Sequence, residues 1–285
     1  MKTPKGLQPL LDDGVLDEVI RPLKSGKEAS VYMVRSGNEV LCAKVYKDLA
    51  QRSFQARVQY QEGRKFRGSR QARAIGKATK FGRREQETEW KNAEVDALYR
   101  LAAAGVRVPR PRGHFHGVLL MDLVTNEHGE PAPRLGEIDM TEEQARTYHA
   151  ALVCDVVRML CQGLIHGDLS EYNVLVAQGG PVIIDLPQVV SAAGNNAARA
   201  MLLRDVHNLR DTLGCFAPEL RDTHFGEEMW ALFEKDELRA DSVLSGHFVF
   251  DQHAADVHGV MASIEEARKE AMIRQQGREE AALRD

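Results

Sequence analysis

The chain has 285 residues, of which 43% are hydrophobic and 28% charged, with a formal net charge of −4. Those proportions suit a globular protein with room for one large domain or two lobes sharing a cleft. No run of about 18 apolar residues occurs, Met1 to Gly6 lack the apolar core of a signal peptide, and Cys42, Cys154, Cys161 and Cys215 show no Cys-x-x-Cys spacing. These features argue against a membrane span, a zinc site and a disulfide framework; the cysteines are expected to pack as small core residues and the protein to reside in the cytoplasm.

Residues 1–19 read as a lead-in with a helical patch from Leu10 to Leu16, too short for a separate domain. Two strands follow, Ile20 to Leu23 and Val31 to Val34. They are joined through Ser25-Gly26-Lys27-Glu28-Ala29-Ser30, a turn whose small residues and backbone N–H groups can cradle phosphates. With a single glycine, this turn taken alone suits an ordinary hairpin equally well. Val40 to Tyr46 reads as the next strand and holds Lys44 at its middle. A lysine inside a buried strand is costly without a partner. The candidate partner is Glu94, in a predicted helix where Trp90, Glu94, Ala97 and Leu98 share one face at helical spacing.

Between Lys44 and Glu94 lies a strongly basic stretch. Residues 52–84 carry many arginines and lysines against one acid, Glu62, interleaved with Phe54, Tyr60, Phe66 and Phe81. Such a stretch buries little apolar area, and clustered cations with aromatics suit phosphate backbones and stacked bases, RNA in particular. A solvated, flexible insertion with no partner fits the same composition.

After an extended linker from Val106 to Pro111, residues from Gly113 to Val124 read as a hairpin. Its second strand, carrying Met121, Asp122 and Val124, opens into the polar segment Thr125 to Pro133, a natural hinge between lobes. Thr141-Glu142-Glu143-Gln144 has the pattern of a capping box and opens a helix that runs to Gly163.

The densest chemical signal comes next, in His166-Gly167-Asp168-Leu169-Ser170-Glu171-Tyr172-Asn173 followed by Val174-Leu175-Val176. One tight loop here offers a carboxylate, Asp168, able to accept a nucleophile's proton, and a neutral oxygen ligand, Asn173. After the break at Gly179-Gly180-Pro181, Val182-Ile183-Ile184-Asp185 reads as a short buried strand ending in an acid. A hairpin would bring Asn173 and Asp185 together as a two-ligand magnesium site. Protein kinases carry this spacing as H-R-D-x-x-x-x-N, with an arginine where Gly167 stands. A small-residue stretch from Ser191 to Ala200 precedes a helix around Leu202 to Leu213, which leaves little room for a conventional activation loop. Ala217-Pro218-Glu219 resembles the motif that closes such a loop and is read as a chance match. Residues 261–285 read as a charged C-terminal helix.

Taken together, Ser25 to Tyr32, His166 to Leu175 and Ile184-Asp185-Leu186-Pro187-Gln188 closely resemble the three signatures of the RIO atypical protein kinases. The first RIO subfamily is the nearer match, because no winged helix precedes the phosphate turn and because the basic insertion, residues 50–88, is similar to that subfamily's flexible loop. The absence of long charged tails points to a bacterial source. The resemblance implies an α+β, trimmed two-lobed protein-kinase-like fold. It would have a β-rich N-lobe over residues 20–124, a mainly helical C-lobe over 125–260 and no conventional activation loop. It implies an ATP- and magnesium-dependent serine/threonine protein kinase that autophosphorylates. Lys44 and Glu94 would form the ion pair, Asp168 would be the catalytic base, and Asn173 and Asp185 would hold magnesium. Ser25, Gly26, Lys27, Glu28, Ser30 and Val31 would line the nucleotide's phosphates, and the hinge positions Met121, Asp122 and Val124 would meet adenine. In RIO enzymes the aspartate matching Asp185 can carry an aspartyl-phosphate, which recasts some of them as ATPases.

Two other readings stand beside this one. The aminoglycoside and choline kinases, small-molecule phosphotransferases, also use His-Gly-Asp, a following Asn and an Ile-Asp strand; Pro187-Gln188 after Asp185 and the phosphate turn speak against them. A nucleotide-switched RNA- or ribosome-binding assembly factor would account for the basic segment 52–84. The protein substrate itself is not legible.

Overall fold

A computed structural model describes residues 3–26, 29–47 and 94–249. Lys27, Glu28, Trp90, the basic segment 52–84 and the C-terminal stretch 261–285 lie outside the described residues. Residues up to His247 form one unit, and of a second, Phe248–Asp285, only the first two residues are described.

The N-terminal lobe is an antiparallel sheet of β1 (Glu18–Ser25), β2 (Ala29–Ser36), β3 (Glu39–Tyr46), β4 (Pro111–Phe115) and β5 (Val118–Asp122), in the order β1-β2-β3-β5-β4. Local chemistry sets its two tight turns. Ser36 pairs with Glu39, so Gly37 and Asn38 make the β2–β3 loop, and Gly37 takes φ +59°, where an absent Cβ costs nothing. Phe115 pairs with Val118 across His116 (φ +50°) and Gly117 (φ +77°), the two left-handed positions of a type I′ turn. His116 Nε2 bonds Asp13 at 2.7 Å and so ties this turn to the lead-in.

Period-two alternation gives the sheet two different faces. Val34, Leu41, Ala43, Val118 and Leu120 share the outer face with Leu7, Leu10 and Leu16, so the lead-in and its single-turn helix α1 (Gln8–Asp12) cover that face. The alternate residues of β3 and β5, Cys42, Lys44, Leu119 and Met121, face the cleft. Helix α2, described over residues 94–103, buries Val95, Ala97, Leu98 and Leu101 in the same core as the C-terminal lobe.

That lobe holds α3 (Glu142–Cys161), β6 (Leu164–Ile165), β7 (Val174–Ala177), β8 (Gly180–Ile183), β9 (Val190–Ser191), α4 (Ala198–Leu213) and α5 (Phe225–Glu234). Thr141 caps α3 as the sequence predicts: its Oγ1 accepts the Gln144 N–H at 3.2 Å, and Gln144 Oε1 accepts the Thr141 N–H at 2.9 Å. Leu152, Val156 and Leu160 of α3 share one core with Leu202, Val206 and Leu209 of α4 and with Met229 and Trp230 of α5. The linker before β4 is pinned to the β7–β8 hairpin, because the Arg107 guanidinium donates to the Gly179 carbonyl and the Ile183 N–H donates to the Arg107 carbonyl at 2.8 Å.

Several elements differ from expectation. The hairpin starts at Pro111 and its second strand ends at Asp122, so Leu123 and Val124 already belong to the connection. Helix α4 begins at Ala198, inside the small-residue stretch, and only residues 186–197 separate it from Asp185. Ala217-Pro218-Glu219, read as a chance match, follows α4 as expected, and Glu219 pairs there with Arg146. Cys154 and Cys215 are exposed instead of buried, since the buried stripe of α3 passes through Leu152, Val153 and Val156 and leaves position 154 outside it. Among the described residues no helix is long and apolar enough to cross a membrane.

Leu10 is fully buried beneath the sheet, so Leu10→Ala should cost about 2–5 kcal/mol of stability in denaturant unfolding. A loss under about 0.5 kcal/mol, the range of a surface change, would mean that the lead-in is not part of the core.

Candidate active site

Lys44 is 8% exposed at the centre of β3, opposite Val31 on β2 and Leu119 on β5. Its Nζ donates to Glu94 Oε1 at 2.6 Å and to Asp185 Oδ1 at 2.8 Å, and stands 5.7 Å from the Tyr46 ring centroid. Burial alone would favour the neutral amine, but the two carboxylates outweigh it and hold the pKa above the usual lysine value. Burial would likewise raise Asp185, and the adjacent Lys44 ammonium overrides it to leave this carboxyl below its usual range. The pairing of Lys44 with Glu94 expected from helix phase is thus present, and it extends to a third residue. Cys42, beside Lys44 on the strand, has a thiol pushed up to about 12 by burial and stays protonated.

Asp168 stands on the loop between β6 and β7. His166 orders that loop from within: the Asp168 N–H donates to Nδ1 at 3.3 Å, which selects the tautomer whose Nε2–H donates to the Ile184 carbonyl at 3.0 Å. Helix α4 holds it from beneath. Asp205 accepts the Gly167 N–H at 2.7 Å and the Leu169 N–H at 2.9 Å, Arg204 donates to the Gly167 carbonyl, and Asn208 donates to the Leu169 carbonyl at 2.9 Å. Gly167 sits at φ +82°, a conformation that suits glycine and disfavours the arginine that protein kinases carry at this position. The Asp205 carboxyl is pushed up to about 6 by burial, with His166, its two N–H donors and Arg204 offsetting part of that.

Asn173 Nδ2 donates to the Asp168 carbonyl at 2.8 Å, and the Ile184 N–H donates to the Asn173 carbonyl at 2.9 Å. The β7–β8 hairpin therefore carries Asn173 before its first strand and Asp185 just beyond its second, as the apolar framing implies. Asp185 takes φ +66°, a strained conformation that aspartate tolerates better than most residues. The Asp168 carboxyl is raised by burial and by Asp185, against the opposing effects of His166 and Arg204, and its Oδ2 lies 3.4 Å from Gln188 Nε2.

Between the lobes lies a cavity of about 700 Å³. Gly26, Val31, Lys44, Glu94, Met121, Asp122, Val124 and Asp185 line it, while Ser25 and Ser30 bond each other at 3.1 Å across the ends of β1 and β2. Lys27 and Glu28, between them, are outside the described residues. Asp122 directs its carboxylate to Arg112, away from the cleft, so the backbone is what it offers there.

The RIO domain matches residues 30–224. The chain belongs to the RIO domain family. The RIO-type serine/threonine-protein kinase Rio1 of Haloferax volcanii is 33% identical over 201 residues, 70% of this chain and 64% of that protein. Its namesake in Methanocaldococcus jannaschii is 33% identical over 195 residues, 68% and 62% of the two chains. The human serine/threonine-protein kinase RIO1 is 31% identical over 208 residues, 71% of this chain but 34% of that protein. The matches thus span less than two thirds of the length of these relatives. A solved kinase domain aligns over 92% of this chain and 86% of that chain, with a TM-score of 0.47 and 14% identity.

Within this RIO domain, Arg204, Asp205 and Asn208 are not among the site residues expected from sequence, because nothing within their helix shows that it packs under the loop of Asp168. The available signal was an acid and an amide three residues apart, beside the apolar positions Leu202, Val206 and Leu209. Asp205→Asn turns an amide donor toward one of the two loop N–H groups, and a buried N–H left unpaired costs about 1–3 kcal/mol. This variant should lose that much stability in thermal or denaturant unfolding; unchanged stability would mean that α4 does not hold the loop.

Proposed function

We propose that this RIO domain protein is an ATP- and magnesium-dependent serine/threonine protein kinase that also phosphorylates itself. The observation that carries the reading is the convergence of three separate segments: Lys44 and Asp185 bond each other in the lining of one interlobe cavity, and Asp168 and Asn173 adjoin it through Gln188 and the Ile184 backbone. The serine/threonine kinases among its relatives support it.

Each side chain has a distinct task in this reading. Lys44, kept cationic by Glu94 and Asp185, orients the phosphates of the nucleotide. Asp168, whose raised pKa brings it closer to the working range of a proton acceptor, takes the proton of the acceptor hydroxyl. Gln188 and His166 restrict where its carboxylate and backbone can point. The donor chemistry fits a hard divalent cation: Asn173 uses its NH2 on the Asp168 carbonyl and so presents Oδ1, and the Asp185 carboxylate is 49% exposed. A magnesium here would be held by Asn173 and Asp185 and would take its remaining ligands from phosphate and water. Bound magnesium would supply charge neutralisation on the transferring group. Met121, at the end of β5, and the Asp122 and Val124 backbone are positioned for the base.

Asp185 is both half-exposed and held anionic, which makes it the protein nucleophile best suited to capture phosphate, and hence to an ATPase cycle. Residues 52–84, with their cations and aromatics, suit RNA or ribosomal contact.

Asp168→Asn should abolish transfer to protein and to itself while leaving ATP affinity within about threefold, because a general base makes few ground-state contacts. Phosphate incorporation alongside nucleotide titration checks it, and retained incorporation removes Asp168 from the mechanism. Incubation with ATP and magnesium followed by borohydride should convert part of Asp185 to homoserine in mass spectra; its absence under turnover would leave only the metal role. Deleting residues 52–84 should remove salt-sensitive RNA binding without lowering ATP affinity. Equal RNA affinity in the deletion would end that assignment.

A further inference from the structure

The charges around the interlobe cavity are unevenly used. Four lining residues are acidic, and each is already engaged: Glu94 and Asp185 on Lys44 at 2.6 and 2.8 Å, Asp122 on the Arg112 guanidinium, and Glu137 Oε2 on the Arg134 N–H at 3.1 Å. Four lining residues are cationic, and of these only Lys44 is paired. The side chains of Arg21, Lys24 and Arg134 make no hydrogen bond or ion pair with any described residue. Lys24 is depressed below its usual value first by partial burial and then by the Arg134 cation across the cleft, with Glu137 and Asp185 offsetting only part of this. Two cations that repel one another from opposite walls await an anion between them.

The backbone of β1 is shaped to present these charges. Residues three apart on a regular strand point to opposite faces, yet Arg21 and Lys24 both line the cavity. The cause is the irregularity between Pro22 and Lys24, where the register with β2 slips by one residue and returns Lys24 to the face of Arg21. Since β1 is an edge strand, both side chains stand at the open rim. Arg21 and Lys24 pair with Met33 and Val31, two residues apart on β2, so at roughly 3.3 Å per residue their backbones are spread over about 7 Å. That is longer than one phosphate group and matches carboxylates two residues apart on an extended chain.

We infer that Arg21, Lys24 and Arg134 form an acidic-peptide site at the mouth of the cleft, which selects acceptor segments carrying Asp or Glu beside the acceptor hydroxyl. The assignment rests on the kinase reading for its biological use, but the binding it requires does not. The occupant is a peptide rather than the nucleotide because Arg21 and Lys24 stand on the edge strand, at the rim, while Lys44 and Asp185 mark the place of the phosphates.

Fluorescence anisotropy on the full chain tests it, using a labelled peptide with one serine flanked by glutamates and a control with lysines in their place. The glutamate peptide should bind at least tenfold tighter, and both Arg21→Glu/Lys24→Glu and, separately, Arg134→Gln should weaken it about five- to tenfold, with melting temperatures confirming that each variant is folded. ATP and magnesium should leave the peptide bound. Equal affinity for the two peptides, no effect of either variant, or displacement by ATP with weakened ATP affinity in the variants would overturn the assignment, the last by giving these cations to the nucleotide. Phosphate transfer to the glutamate peptide, measured in parallel, separates the two claims: binding lost in the variants but no transfer by the wild type would sink the kinase reading and leave the peptide site standing.

Discussion

A single buried ammonium organises this molecule. Lys44 lies beneath the sheet at 8% exposure, and its position is tolerable only because two carboxylates from distant parts of the chain reach it. Removing one partner of such a buried pair typically costs about 3–5 kcal/mol, so β3, α2 and the segment after β8 are obliged to keep their places together. The local charge balance is one ammonium against two carboxylates. The surplus negative charge lies at Asp185, the half-exposed member, where a divalent cation would be most favoured.

Backbone strain borders this triad, and the fold restrains it. Gly167 at φ +82° and Asp185 at φ +66° are the left-handed points on either side of the β7–β8 hairpin. A non-glycine residue in that region persists only where its surroundings overdetermine it. Around Asp185 the restraints are the Lys44 bond and the His166 bond to the preceding carbonyl; around Gly167 they are Arg204 and Asp205. One helix thus fixes the loop that carries Asp168, and one lysine fixes Asp185 beyond the hairpin. The absence of a long segment between Asp185 and α4 lets that helix act directly on the loop.

Outside the triad the cleft has a different electrostatic character. Its carboxylates are spent on internal bonds, whereas the cations of its rim are not. An interior suited to a metal and a mouth suited to carboxylates could coexist because partly exposed charges are screened over about 8–10 Å in physiological salt.

Much of the site was legible in the sequence because its determinants are local. The alternation around Lys44, the spacing from Asp168 to Asn173, and the apolar run ending at Asp185 each encode a position within one element, and the hairpin that joins Asn173 to Asp185 needs only a turn. The capping of α3 was readable for the same reason. Apart from the Lys44–Glu94 pair, contacts between elements far apart in the chain were not legible. Asp205 and Asn208 look like ordinary polar positions until α4 packs under the loop, Arg112 and Asp122 meet only through the β4–β5 register, and Cys154 is exposed because of which side of α3 faces the core. The second carboxylate partner of Lys44, Asp185, belongs with these. Sequence periodicity records what each residue needs from its own strand or helix, and only the tertiary fold decides which distant group supplies it.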